Sequence, residues 1–124
     1  MIEREMRRVA DALAAVRMPA QPEEYDIHAA VADALDAAGL DYEHEYNLGP
    51  RCRIDFLIDG VGIEVKRGKP QKAPLLRQCS RYLACDQVEA LILVLDTSVS
   101  LPRTLEGKPI IVFGLNRLWG VALP

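Results

Sequence analysis

The sequence has few of the residues that build disulfide frameworks and structural zinc sites. Its three cysteines, Cys52, Cys79 and Cys85, are odd in number and lack the C-x-x-C spacing of zinc-binding motifs. Its two histidines, His28 and His44, lie far from the cysteines along the chain, so a zinc site is not expected. The simplest interpretation is three reduced thiols in a cytoplasmic protein.

Long apolar runs are also missing. None approaches the roughly 18 residues that a membrane-spanning helix needs, and the charged, amphipathic first 16 residues do not resemble a secretory signal. Half of the 124 residues are hydrophobic, so we expect one soluble domain spanning residues 1–124, without a membrane partner. The segment Gly60-Val61-Gly62 lacks the third glycine of a dinucleotide fingerprint, and no organic cofactor is expected.

Charge is distributed unevenly, although the net charge of −3 argues mildly against a nucleic-acid binder. Residues 18–50 contain eight acidic side chains and no lysine or arginine. Residues 65–85 contain no acidic side chain and six basic ones: Lys66, Arg67, Lys69, Lys72, Arg77 and Arg81. A concentrated basic segment can attract a polyanion despite an acidic total, so we expect an anion-binding surface here. The alternative is an ordinary solvated helix face and loop.

The stretch RIDFLIDGVGIEVK, residues 53–66, predicts a β-hairpin. Asp59-Gly60 between two apolar runs is typical of a two-residue type I′ turn. Such a turn pairs Ile58 with Val61 and, continued, sets Asp55 opposite Glu64. Alternation then predicts an apolar face and a mixed face. The apolar face carries Ile54, Phe56, Ile58, Val61, Ile63 and Val65, and the mixed face carries Arg53, Asp55, Leu57, Gly62, Glu64 and Lys66.

The pairing of Asp55 with Glu64 calls for compensating positive charge. Opposed residues in an antiparallel ladder have Cβ atoms about 4.5–5.5 Å apart, and like charges at that distance are destabilising. A divalent cation such as Mg²⁺, which prefers oxygen ligands, would compensate them. The alternative is an exposed sheet face on which Arg53 and Lys66 form ordinary salt bridges with the two carboxylates.

Hydrophobic periodicity predicts helices and strands in the order of an α/β fold with a mixed sheet. The predicted helices are residues 2–17, about 23–38 and about 75–84. The predicted strands are residues 41–48, 51–58, 61–66, 90–96 and 110–113, with a loop over 97–109.

The second predicted helix turns an acid and a histidine toward the sheet. Its inward stripe consists of Glu24, Ile27, His28, Val31, Leu35 and Ala38. Glu24 is either a site residue or a first-turn acid that complements the helix dipole. His28 is either a ligand or a partly buried histidine with its hydrogen bonds satisfied.

The third predicted helix carries Gln78 and Tyr82 four residues apart on one face, with Arg77 and Arg81 beside them. Gln78 could approach the two carboxylates, and the arginines could bind phosphates in a bidentate manner. Alternatively, Tyr82 packs and the arginines are solvated.

These residues together resemble the PD-(D/E)XK nuclease superfamily, most closely its small members such as Holliday-junction resolvases and phage or restriction-type nucleases. The motifs are a helix glutamate, Asp55, then Glu64-Val65-Lys66, then Gln78-x-x-x-Tyr82 before a buried strand, within residues 23–96. The resemblance implies a restriction-endonuclease-like core, in which helices flank a central mixed sheet. It also implies Mg²⁺-dependent cleavage of DNA, by an endonuclease rather than an exonuclease. We expect a homodimer formed through the amino-terminal helix, residues 1–18, or through the tail.

The resemblance also implies roles for individual residues. Asp55 and Glu64 would bind Mg²⁺ or Mn²⁺ with the backbone carbonyl of Val65, Lys66 would position the attacking water, and Gln78 would assist. The third metal ligand is open between Glu24, His28 and Glu45. The implied DNA contacts are Arg53, Arg67, Lys69, Lys72, Arg77, Arg81 and Tyr82.

Two other functions are compatible with the sequence. In the first, the fold is catalytically inactive and serves as a DNA- or protein-binding module. In the second, weaker alternative, the acidic helix of residues 23–38 acts on a partner protein. Position 54, where the family commonly has proline, is isoleucine, which is a common variant of the motif.

Overall fold

A mixed six-stranded sheet between two helical layers forms the part of the chain that the computed structural model describes, which is residues 2–16, 23–95, 97 and 99–114. Its helices are α1 (Ile2–Leu13), α2 (Glu24–Ala37) and α3 (Lys72–Leu83). Its strands are β1 (Glu43–Gly49), β2 (Cys52–Ile58), β3 (Val61–Lys66), β4 (Ala90–Leu95), β5 (Thr104–Leu105) and β6 (Lys108–Gly114). None of the helices described is long and apolar enough to cross a membrane.

The strands lie in the order β1-β2-β3-β4-β6-β5. β1, β2 and β3 form an antiparallel meander, β4 is parallel to β3, and β6 is parallel to β4. The short strand β5 pairs antiparallel with β6 at the far edge. The predicted α/β class, with a mixed sheet flanked by helices, is therefore confirmed.

Each face of the sheet is covered by its own helices. α1 and α2 pack on one face over Phe56, Ile63 and Val65, and α3 packs on the other face over Leu91 and Leu93. Every residue of β4 is buried, which is typical of a strand with helices on both sides. The apolar run at residues 90–96 predicted a strand covered on both faces, and this prediction is confirmed for residues 90–95, which the structure describes.

The apolar stripe of α1 is buried inside the chain. Met6, Val9, Leu13 and Val16 all belong to the core between α1, α2 and the sheet. The residues of α1 therefore present no exposed apolar face to a second copy of the chain, although a homodimer through this helix was predicted. The tail from residue 115 onward, predicted as the other possible interface, lies outside the described residues.

Helix α2 begins and ends close to the predicted range of about 23–38. The carboxylate of Asp26 accepts a hydrogen bond of 2.8 Å from the backbone N–H of Glu23, which is one half of a capping box. At the other end Gly39 has a φ of 73° and the N–H of Leu40 donates to the carbonyl of Leu35. This arrangement is the glycine stop expected at a helix carboxyl end.

Three predictions of element boundaries are wrong. α1 ends at Leu13 rather than at residue 17. α3 begins at Lys72 rather than 75, because Pro74 lies in the first turn, where a missing N–H costs no helical hydrogen bond. The predicted loop over residues 97–109 contains β5, the turn after it and the start of β6. Glu106 and Gly107 both have positive φ, 54° and 73°, and make this tight turn.

The hairpin between β2 and β3 forms as predicted at its closed end only. Asp59 and Gly60 have φ values of 48° and 86°, as in a type I′ turn. Pairing then runs from Ile58 and Val61 to Phe56 and Ile63. The predicted pairs beyond that point, which are Asp55 with Glu64, Ile54 with Val65 and Arg53 with Lys66, do not form.

The side chains of β2 do not alternate regularly between the two faces. Phe56 packs with α1 and α2, whereas Ile54 packs with α3. The prediction that these two residues share one apolar face is therefore wrong for Ile54. The break lies at Asp55 and at Glu45 opposite it in β1, where φ is 52° instead of the negative value of a strand.

Candidate functional site between β2 and β3

The two strands separate where the predicted acidic residues lie, and the acidic side chains fill the gap. We call this region the fork: residues 53–55 of β2 and 64–66 of β3. The N–H of Val65 donates to Oδ2 of Asp55 over 2.7 Å, and the N–H of Asp55 donates to Oε1 of Glu64 over 3.3 Å. Because buried backbone N–H groups need partners, each carboxylate replaces an acceptor that a continued ladder would supply. Both carboxylates are thereby held in the fork.

Glu64 is the only buried charged side chain among the described residues, with 4% of its surface exposed. Its Oε2 lies 3.3 Å from Nζ of Lys66 and accepts a hydrogen bond of 3.5 Å from Nε2 of Gln78. Burial, followed by the charge of Asp55, raises the pKa of Glu64 to about 7, although Lys66 acts in the opposite direction. One lysine therefore compensates this carboxylate only in part.

The pKa of Asp55 is also raised. Burial is the main reason that the pKa of Asp55 is raised, while the Val65 N–H, His28 and Lys66 pull it downward. Two carboxylates that both disfavour ionisation in one partly buried gap form a site where additional positive charge would be stabilising.

Gln78 and Tyr82 support the fork from α3. Nε2 of Gln78 also donates to the hydroxyl of Tyr82 over 3.0 Å, and that hydroxyl donates to the carbonyl of Arg53 over 3.0 Å. Tyr82 is 2% exposed, and burial with the nearby charge of Glu64 raises its pKa, so the hydroxyl keeps its proton. Tyr82 is therefore a buried support of the fork, which corrects the expectation that it contacts DNA.

The other side of Asp55 faces α2. Nε2 of His28 lies 3.5 Å from Oδ2 of Asp55 and 3.9 Å from Oε2 of Glu24. The side chain of Glu24 is 60% exposed, whereas that of His28 is 12% exposed. All three candidates for the third ligand line one cleft with Asp55. The residues of this cleft, about 500 Å³ in volume, are Glu24, Tyr25, His28, Ala29, Ala32, His44, Glu45, Arg53 and Asp55.

The predicted basic residues of the loop after β3 and of α3 are exposed, and Arg53 borders the cleft. Arg53 lines the cleft, and Lys69, Lys72, Arg77 and Arg81 are exposed in the loop after β3 and along α3. Arg67 is also exposed, and its guanidinium lies 3.8 Å from Oε2 of Glu23 at the start of α2. At Arg67 the positive charge is therefore partly offset by an acidic neighbour.

Sequence reasoning missed His44. It lies 16 residues from His28, yet its Nε2 is 3.1 Å from Nδ1 of His28. Its ring stacks on Phe56 with centroids 4.6 Å apart. The signal that could have found it is register, because β1 sets His44 opposite Phe56 and so beside the inward stripe of α2.

Comparisons with protein families, curated proteins and solved structures give no match. What the fork offers chemically is the carboxylate of Asp55 from β2 and the buried carboxylate of Glu64 near the end of β3, beside Lys66. This donor set fits a hard divalent cation, since Mg²⁺ is commonly held by one or two carboxylates and completes its shell with water and substrate phosphate.

Proposed function

We propose that the protein is a metal-dependent nuclease of the PD-(D/E)XK type, and that it hydrolyses phosphodiester bonds in DNA as an endonuclease. The observation that carries the proposal is the fork, where Asp55 and the buried Glu64 lie together with Lys66 as the nearest cation. Burying a carboxylate beside another is costly, so stability alone does not account for this arrangement.

Asp55, Glu64 and the backbone carbonyl of Val65 would hold Mg²⁺, with Mn²⁺ as a substitute. The bound ion supplies a stronger nucleophile than water at neutral pH and offsets the charge that grows on the phosphoryl oxygens. Glu24 is the candidate for a further ligand, because its carboxylate reaches the same nitrogen of His28 as Asp55 does.

Lys66 would position the attacking water. Its Nζ lies 3.3 Å from Oε2 of Glu64, and its side chain is 30% exposed, so it is partly accessible to solvent. A lysine in this position would hold a water molecule at the scissile phosphate and stabilise negative charge there. In the absence of metal it offsets part of the charge of Glu64.

Gln78 is proposed as a positioning residue. Its amide joins Oε2 of Glu64 to the hydroxyl of Tyr82. Since Tyr82 is fixed by the carbonyl of Arg53 and is buried, this chain of hydrogen bonds restricts the orientation of the Glu64 carboxylate. Fixed orientation of a ligand by outer partners is a general requirement of metal sites.

The DNA would lie across the basic surface beside the fork. Arg53 borders the cleft, and Arg77 and Arg81 are one turn apart on the exposed side of α3. Arginine binds phosphate in a planar, bidentate manner and suits backbone contacts that carry no sequence preference. Lys69 and Lys72 would extend this surface.

Cleavage of labelled duplex, single-stranded and four-way-junction DNA with Mg²⁺ or Mn²⁺ tests the proposal. We expect the wild type to cut at least one of these substrates. In Asp55→Asn and in Glu64→Gln the cleavage rate should fall about 1,000-fold or more, which corresponds to several kcal/mol of transition-state stabilisation. Lys66→Met should lose about 100-fold or more, the range of a single proton-handling group. Glu89→Gln is the matched control, since Glu89 is an exposed acid at the hairpin end of the sheet.

One observation favours a second function. Because Lys66 already contacts Glu64, the fork of an inactive DNA-binding module could be held by its own lysine. Such a module would bind DNA with a steep salt dependence and would cut none of the substrates. It would also show no heat of Mn²⁺ binding that Asp55→Asn removes.

A further inference from the structure

We propose that His28, His44 and Glu45 form a second metal site, separate from the fork and suited to a transition metal such as Zn²⁺. Each of these side chains offers one ligand atom, and the three atoms lie within 4.8 Å of one another. The three residues come from α2 and from two consecutive positions of β1.

The two imidazole nitrogens have the spacing that a shared ion requires. Nδ1 of His28 and Nε2 of His44 are 3.1 Å apart. With zinc–nitrogen bonds of about 2.1 Å, that spacing corresponds to an N–Zn–N angle of about 95°. Such an angle lies between octahedral and tetrahedral values, so the nitrogens need to move only slightly. In the absence of an ion, one of them donates a hydrogen bond to the other.

Nε2 of His28, the nitrogen that would not bind the ion, lies near the carboxylate of Asp55, the kind of partner that metal-bound histidines have. If Nδ1 binds the ion, the proton resides on Nε2, which lies 3.5 Å from Oδ2 of Asp55. Ligating histidines almost always donate this second N–H to a carboxylate or carbonyl, which fixes the tautomer and the ring orientation. Asp55 would therefore contact both sites, as a ligand at the fork and as an orienting acceptor at the second site.

The rings are held in place before any ion binds. His44 stacks on Phe56, which is fully buried, at an interplanar angle of 18°. The side chain of His28 is 12% exposed and its ring also contacts Phe56, with centroids 5.6 Å apart. His44 and Glu45 are exposed, so an ion can enter from solvent. A site with fixed ligands and an open side loses little entropy on binding.

The donor set selects the class of ion. Imidazole nitrogens suit Zn²⁺, Co²⁺ and Ni²⁺, whereas Mg²⁺ prefers oxygen and retains its water. Three protein ligands leave a fourth position for water, as in catalytic zinc sites. This inference does not rest on the nuclease proposal, since neither Glu64 nor Lys66 is a member of the site.

Co²⁺ is the probe, because its visible absorption changes when nitrogen ligands enter its shell. Titration of the metal-stripped full-length protein should show saturable Co²⁺ binding that Zn²⁺ displaces and millimolar Mg²⁺ does not. His44→Ala and Glu45→Gln should each weaken Co²⁺ binding by at least about 100-fold, since the loss of an outer-shell partner alone costs up to that much. Thermal unfolding of each metal-free variant reports whether it is folded, and both positions are exposed.

Two further variants separate this site from the fork. Glu43→Gln removes a neighbouring exposed acid of β1 and should leave the Co²⁺ affinity unchanged. Glu64→Gln should also leave the Co²⁺ affinity unchanged, even if it abolishes DNA cleavage. Equal Co²⁺ affinity in the wild type, His44→Ala and Glu45→Gln would overturn the inference. So would a loss in Glu64→Gln as large as in His44→Ala, or the absence of saturable binding. A protein that binds Co²⁺ as expected but cuts no DNA retains this site and loses the proposed function.

Discussion

Glu64→Gln is expected to stabilise the metal-free protein above pH 7 while abolishing its activity on DNA. The pKa of Glu64 is raised from 4.5 to about 7 in the folded state. Below pH 4.5 the carboxyl is protonated whether the chain is folded or unfolded, and it has no effect. Between pH 4.5 and 7 the unfolded chain loses the proton first, so stability falls as the pH rises. Above pH 7 the loss is constant, at about 3 kcal/mol for a shift of this size.

Glutamine cannot ionise, so the variant should lack this fall in stability. Urea unfolding in EDTA from pH 4 to 8 measures the free energy of unfolding across this range. Glu89→Gln is the control that should keep the wild-type pH dependence. The wild type should regain stability at pH 8 when Mg²⁺ is added, because an ion that binds only the folded state shifts the equilibrium. Glu64→Gln should regain little. If Glu64→Gln is instead less stable than the wild type at pH 8 in EDTA, the pair of Glu64 with Lys66 is a structural ion pair.

Gly62→Ala is expected to destabilise the protein by about 2 kcal/mol, the usual cost of overfilling a core. A methyl group at this position would overlap Cδ1 of Ile54, which lies over the glycine because the alternation of β2 breaks at Asp55. The missing side chain at position 62 therefore leaves room for Ile54 beside the fork.

A double-mutant cycle isolates this contact. Ile54→Val removes the overlapping Cδ1 and alone should cost about 1 kcal/mol. The double variant Gly62→Ala/Ile54→Val should be more stable than the sum of the single effects by about 1 kcal/mol or more, as for residues in direct contact. Ile27→Val, a matched change in the α2 core, should be additive with Gly62→Ala. Additive effects of Gly62→Ala and Ile54→Val in urea unfolding would contradict the packing described above.

Local signals were enough to predict the parts of the fold that depend on neighbouring residues. Asp59-Gly60 specifies its own turn, and Gly39 ends α2, because both conformations require residues that tolerate positive φ. The inward stripe of α2 correctly placed His28 beside the sheet and Glu24 beside His28.

The fork itself could not be derived from alternation, because alternation assumes an unbroken ladder. Glu45 adopts a positive φ without being glycine, asparagine or aspartate, so the sequence carries no sign of the break opposite Asp55. Because the break was not anticipated, Ile54 was assigned to the wrong face. The contact between His28 and His44 depends on the register of β1, which has no tight turn of the favoured type to specify it.

The central claim is that the fork holds a divalent cation, and diffraction from crystals soaked in Mn²⁺ tests it most directly. The anomalous difference map should show a peak between the carboxylates of Asp55 and Glu64, with Nζ of Lys66 moved away from Glu64 toward solvent. The same map from Asp55→Asn crystals should lack that peak. Wild-type crystals that bind Mn²⁺ elsewhere, while the fork shows no peak and Lys66 still contacts Glu64, would contradict the account.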